Sequence, residues 1–222
     1  MCIIAVSKRG VKQPTIEQLR NMYDNNPHGA GYMYARNGKV TIHKGFMTWE
    51  DFIRSVKLEH FTKDDPVVYH FRISTQAGVN PRMTHPFPLT ENPNMTEKLD
   101  VICNIGIAHN GIIRMTSDPK EKRFSDTALF ITKYMPWLIR DCEDITDPAV
   151  KDMIEDLTHS KWALMNNSGV IETVGQFVKS DGLLFSNSTY IKLPSLKTYS
   201  KYPVSSYAYD DYNNGTYGIC GD

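Results

Sequence analysis

The chain has 222 residues, 41% hydrophobic and 23% charged, a globular composition that fits one large domain or two small ones. Twenty-five Lys and Arg balance 25 Asp and Glu, so no basic excess favours tracking a phosphate backbone, which argues against bulk nucleic-acid binding and leaves room only for a local basic patch. No apolar run approaches the roughly 18–20 residues of a membrane span, and Cys2, Cys103, Cys142 and Cys220 form no Cys-x-x-Cys pair, which argues against membrane and zinc-ribbon readings and for a reducing, cytoplasmic setting.

In chain order, Cys2 to Val6 is an apolar run suited to a buried strand, with charge after it rather than before it, unlike a signal peptide. Thr15 to Asn25 carries Ile16, Leu19, Met22 and Tyr23 at helical spacing and ends at Asn-Asn-Pro. Gly31 to Arg36 and Lys39 to Lys44 flank Asn37-Gly38, whose tolerance of positive φ predicts a two-residue hairpin. Thr48 is expected to cap a helix from Trp49 to Leu58, with Asp51 at the capping-box position. Val67 to Arg72 reads as a strand feeding a long polar loop, Ile73 to Lys98, and loops of that length are usually functional or disordered.

Farther on, Val101 to Ala108 and Ile112 to Met115 flank a second Asn-Gly, Asn110-Gly111, and are expected to form another hairpin. Ser125 or Asp126 opens an apolar helix through Met135, and Ala149 to Thr158 makes another. Trp162 to Asn166 and Val170 to Val174 predict a third hairpin, followed by a strand at Leu183 to Ser186. Residues 199–222 hold six of the 12 tyrosines and almost no aliphatic residues, and are expected to be a flexible tail behind one domain spanning 2–198. Hairpins interleaved with helices imply an α+β fold of antiparallel sheets covered by helices.

Few residues stand out chemically. If Met1 is removed, Cys2 carries both a thiol and a free α-amine, and an amine of pKa near 8 can act as base for a thiol that is only a few per cent ionised at neutral pH. Arg72 ends a strand and Asp126 starts a helix. Singly, each candidate also has a structural reading: a buried core cysteine, a turn at Asn110-Gly111, an ion pair, a cap. His70, His85 and His109 lack close metal-ligand spacing, so no metal and no cofactor is expected.

The segments Val67 to Thr75, Thr84-His85-Pro86-Phe87, Gly106 to Ile113 and Ser125-Asp126-Thr127, in that order after Met-Cys, resemble the glutamine amidotransferase domain of the N-terminal-nucleophile (Ntn) hydrolases, class II. Asn26 to Tyr32 resembles the early glycine-bearing box of their small stand-alone members, and Leu184-Phe185-Ser186-Asn187 resembles a late strand. The resemblance implies a four-layer αββα sandwich, with two stacked antiparallel sheets between helix layers. It also implies Cys2 as nucleophile, with the Asn110 amide and the Gly111 N–H as oxyanion donors. Arg72, Thr75, His85 and Asp126 then belong to the substrate side, Arg72 binding the α-carboxylate, Asp126 the α-ammonium, and His85 ordering the loop. His109 is expected to orient the turn. Ile3 stands where the family commonly has Gly, and Gln76 where His or Gly is common.

The expected activity is hydrolysis of the carboxamide of glutamine, or of a γ-glutamyl compound, with release of ammonia. No ammonia-using domain is visible, so any acceptor chemistry is expected in a separate synthase protein. Three alternatives remain open on the same residues: an Ntn hydrolase of another small amide, a silent binding or regulatory module, and a partner-dependent subunit.

Overall fold

A computed structural model describes residues 2–74, 79–114 and 119–192. The anticipated tail at 199–222, Thr75 and Gln76 lie outside the described residues. The N-terminal run forms β1 (Ile3–Ser7), buried throughout because both of its faces are covered. Thr15 then caps α1 (Ile16–Asn25) with a full capping box. Its hydroxyl accepts the Gln18 N–H at 3.1 Å, and the Gln18 side chain accepts the Thr15 N–H at 2.9 Å. The Asn37-Gly38 turn joins β2 (Ala30–Arg36) to β3 (Lys39–Phe46), with Arg36 opposite Lys39 as the two-residue loop requires. Thr48 caps α2 (Trp49–Leu58), where Asp51 accepts the Thr48 hydroxyl at 2.7 Å instead of reaching the backbone.

The long loop after β4 (Val67–Phe71) contains β5 (Phe87–Pro88), a two-residue strand. Lys44, almost fully buried, straps this loop to β3: its Nζ donates to the carbonyls of Arg82 at 2.8 Å and Thr96 at 2.5 Å and lies 3.9 Å from the centre of the Phe87 ring. The stretch expected to be one strand at 101–108 is two, β6 (Asp100–Cys103) and β7 (Ile105–Asn110), which belong to different sheets. Ser125 caps α3 (Asp126–Lys133), α4 (Met135–Leu138) follows, and Asp147 caps α5 (Pro148–Thr158), with Pro148 in the first turn. The chain returns through β8 (Lys161–Asn166), β9 (Ile171–Val174), β10 (Val178–Ser180) and β11 (Leu183–Phe185).

Among the described residues the strands form two antiparallel sheets. The seven-stranded sheet runs β10-β11-β1-β4-β2-β3-β6 and the four-stranded sheet β5-β7-β8-β9. Strand alternation divides the core into three clusters. Ile3, Tyr32, Tyr69 and Phe71 pack one face of the larger sheet against Leu19 and Met22 of α1 and Phe52 of α2. Ile4, Val6, Met33 and Val68, on its other face, meet Ala108, Ala163 and Met165 of the smaller sheet. Ile107, Trp162 and Leu164 turn the other way, onto Leu129 and Phe130 of α3 and Ile154 of α5. No helix among the described residues is long and apolar enough to cross a membrane.

Candidate active site

The register of the larger sheet brings Cys2 and Arg72 together. Ile3 pairs with Phe71 across β1 and β4, so the residues just beyond that pair emerge side by side at one end of the two strands. Both have the parity of Ile4 and Val68 and so face the second sheet. The Arg72 backbone is fixed by an N–H donated to the Gly29 carbonyl (2.8 Å) and a carbonyl that accepts the His28 N–H (2.9 Å). This is how the Asn26 to Tyr32 segment serves the site. Gly31 in that segment is there for close approach, since a Cβ at this position would come within 2.3 Å of the His85 carbonyl oxygen.

The Cys2 Sγ accepts the Ile73 N–H at 3.4 Å and lies 3.5 Å from the Ile73 carbonyl oxygen. Burial pushes the Cys2 thiol up, outweighing the Ile73 N–H and the Arg72 charge, which both favour the thiolate. Burial likewise pulls the Arg72 guanidinium down, against the opposing pull of Cys2 and Asp126.

The second sheet supplies Asn110 and Gly111. Sequence spacing predicts a hairpin at this Asn-Gly, but Ile112 to Arg114 are not a strand. β7 pairs with β8 on one side and β5 on the other, and the chain leaves the sheet at Asn110. Gly111 is needed because a Cβ here would fall 2.2 Å from the Ser160 Oγ and 2.7 Å from the Ser160 Cβ. The Asn110 side chain, with the parity of Ala108, points toward the first sheet and meets the Ser186 Oγ at 2.8 Å. Asp126, at the first turn of α3, accepts the Ile113 N–H at 2.7 Å and the Thr127 N–H at 2.8 Å. It thereby ties the segment after Gly111 to the helix.

Three buried histidines cluster where the larger sheet meets β7, with the His109 carbonyl between the sheets and its ring turned toward Trp162 and Thr127. The His109 carbonyl accepts His70 Nε2–H at 3.0 Å, and His85 Nδ1 lies 3.0 Å from the same oxygen. The His70 and His85 rings are 4.3 Å apart at their centres, and His109 lies 4.1 Å from the Trp162 ring with its Nδ1 2.8 Å from the Thr127 hydroxyl. Burial pulls His70 and His109 down to about 3, and pulls His85 well below its ordinary value. All three are therefore neutral at physiological pH. One nitrogen of each ring is turned onto the backbone or onto Thr127, while His70 Nδ1 and His109 Nε2 are buried without a partner among the described residues. Among the described residues no group of three or more His, Cys, Asp or Glu is placed to hold a metal ion.

A pocket of about 720 Å³ gathers these residues: Cys2, Arg72, His85, Asn110, Gly111 and Asp126 all line it. Of the residues singled out in the sequence as catalytic or substrate-binding, only Thr75 cannot be set against it, because it lies outside the described residues. Ser186 and Asn187 received no individual role from sequence, although their motif did. The Asn187 amide donates to the Cys2 carbonyl at 2.7 Å, and Ser186 exchanges backbone and side-chain hydrogen bonds with Ile4. Chemically the pocket combines a thiol, a guanidinium, a carboxylate, and an amide next to a backbone N–H. No protein-family model matches the chain, and no curated protein matches it.

Proposed function

We propose that the chain is a class II glutamine amidotransferase-like amidohydrolase with the four-layer αββα architecture of the Ntn hydrolases. It hydrolyses the carboxamide of glutamine or of a γ-glutamyl compound. The observation that carries this reading is convergence: Cys2, Arg72, Asn110-Gly111 and Asp126, far apart in sequence, line one pocket. The three core clusters, one between the sheets and one between each sheet and its helices, support the architecture.

Each group has a counterpart on glutamine. The planar Arg72 fork matches the α-carboxylate, and the carboxylate of Asp126 matches the α-ammonium. The thiol held protonated by burial needs a base, and removal of Met1 would supply one on the same residue. The free α-amine takes the Cys2 proton as sulfur attacks the carboxamide carbon. The oxyanion accepts from the Asn110 amide and the Gly111 N–H, each worth about 3 kcal/mol in comparable sites. Collapse breaks the C–N bond, and ammonia leaves with the proton returned by the α-ammonium. Water, deprotonated by the same amine, then cleaves the γ-glutamyl thioester, releasing glutamate and restoring the thiol.

The test is ammonia release from glutamine by the mature protein. Wild-type turnover is expected, with a loss of at least about 10⁴-fold in Cys2→Ala and an intact mass lacking Met1. A glutamine-mimicking electrophile should label the peptide that begins at Cys2. Ammonia release unchanged by Cys2→Ala, or no reaction with glutamine or any γ-glutamyl amide, overturns the reading. A retained Met1 in active protein removes the proposed base.

A further inference from the structure

We infer that Ser186 is a positioning residue whose hydroxyl holds the Asn110 amide with its carbonyl oxygen inward, leaving the NH₂ group free as a donor to the reaction. The inference rests on the reading of the Cys2 pocket given above.

Ser186 follows β11 and is fully buried, and it is locked to β1 from both sides. Its N–H donates to the Ile4 carbonyl, and its Oγ accepts the Ile4 N–H, each at 2.9 Å. Its carbonyl accepts Lys161 Nζ at 2.6 Å. The hydroxyl oxygen therefore sits at a fixed place, 2.8 Å from the Asn110 amide. With the amide placed Nδ2 toward Ser186, the hydroxyl accepts two N–H groups. Its own hydrogen then has no acceptor among the described residues, and Asn110 Oδ1 is left buried without a partner there.

The two ends of an amide have nearly the same shape, so the hydrogen-bond network decides between them. Turning the amide over gives the Ser186 hydrogen an acceptor and changes the orphaned atom from an acceptor to a donor. Ser186 accepts from Ile4 and donates to Asn110 Oδ1, and Nδ2 takes the place of the orphaned oxygen. The one group then unpaired is a donor, on a residue that lines the Cys2 pocket. A developing oxyanion is the acceptor such a donor lacks. The geometry is pre-set by β1, the strand that Cys2 leads into, so nucleophile and donor are held in one frame.

Ser186→Ala removes the hydroxyl and should lower kcat by roughly 10- to 100-fold, less than complete loss of the donor, with KM for glutamine within about twofold. In an Asn110→Ala background the same substitution should cost no more than about twofold, because the effect is exerted through Asn110. Full additivity of the two losses, or a rise in KM with kcat unchanged, overturns the inference. A neutron or atomic-resolution structure of the unaltered protein decides it independently of turnover and of any folding defect. Asn110 Oδ1 on the Ser186 hydroxyl supports it, and Nδ2 there overturns it. If glutamine is not turned over, the proposed activity fails while this structural result still decides the orientation.

Discussion

Cys2 and Arg72 stand at adjacent ends of two paired strands, whereas Asn110 and Gly111 stand where a central strand runs out into irregular chain. The first wall of the pocket is held by sheet register and by backbone bonds to His28 and Gly29, which survive most side-chain changes. The second wall is held by side chains and by a contact that tolerates no Cβ: Ser186 on Asn110, Ser160 against Gly111, and Asp126 on Ile113. The two walls should therefore respond differently to substitution. Apart from the nucleophile Cys2 itself, damage to the first should show in recognition, and damage at Asn110 or Gly111 in positioning and chemistry together.

The largest contrast is expected at Gly111. In Gly111→Ala the new methyl would lie 2.2 Å from the buried Ser160 hydroxyl, so backbone or Ser160 must move. The displaced N–H should cost roughly 10²- to 10³-fold in kcat, with about 1–3 kcal/mol of stability lost to overpacking. Glutamine kinetics and denaturant unfolding measure the two parts. Retained kcat with normal stability would mean that the second wall is as forgiving as the first.

On the first wall, Arg72→Lys keeps the charge and every backbone contact but replaces a two-pronged donor by a point charge. The proposed carboxylate clamp then predicts KM for glutamine raised roughly 10- to 100-fold, the worth of one charge-assisted hydrogen bond. kcat should fall less than in Gly111→Ala, and stability should stay near wild type. A fall in kcat with KM unchanged would assign Arg72 to the chemistry and erase the distinction between the walls.

The same difference explains what could be read from sequence. Cys2 and Arg72 lie next to short apolar runs, Ile3 to Val6 and Val67 to Phe71, that read as buried strands, so their placement at strand ends is legible. Asn110-Gly111 was misread as a hairpin because Asn-Gly is the strongest local turn signal. In the folded chain the dipeptide answers to Ser160, 49 residues beyond Gly111, and to Ser186, 76 residues beyond Asn110, contacts that no local pattern carries. The split of residues 101–108 between two sheets was hidden for a similar reason, since only long-range pairing separates β6 from β7. Ser186 and Asn187 lay inside a recognised motif, but their bonds to Ile4, Asn110 and Cys2 exist only after β11 has docked beside β1.

The last effect, one that involves both walls, concerns the histidine seam. His70 belongs to β4 and His109 to β7, and the bond from His70 Nε2–H to the His109 carbonyl joins the two sheets. Both rings are neutral when folded, with pKa values pulled down by burial to about 3, while the unfolded chain returns them to about 6.5. Above pH of about 6.5 neither state binds a proton at these sites, and their contribution to stability is complete. As pH falls below that value the unfolded chain takes up protons that the folded chain refuses. Stability should then drop by up to roughly 1.4 kcal/mol per pH unit for each histidine until the folded values are reached. Carboxylates join in only near their own range, so the interval from pH 6.5 to 5 isolates the seam. Unfolding free energies measured across it should fall with a slope of up to about 4 kcal/mol per unit for the three rings, His85 included. A flat profile would mean that these rings accept protons without opening the sheets, and that the two walls are joined by something other than neutral imidazoles.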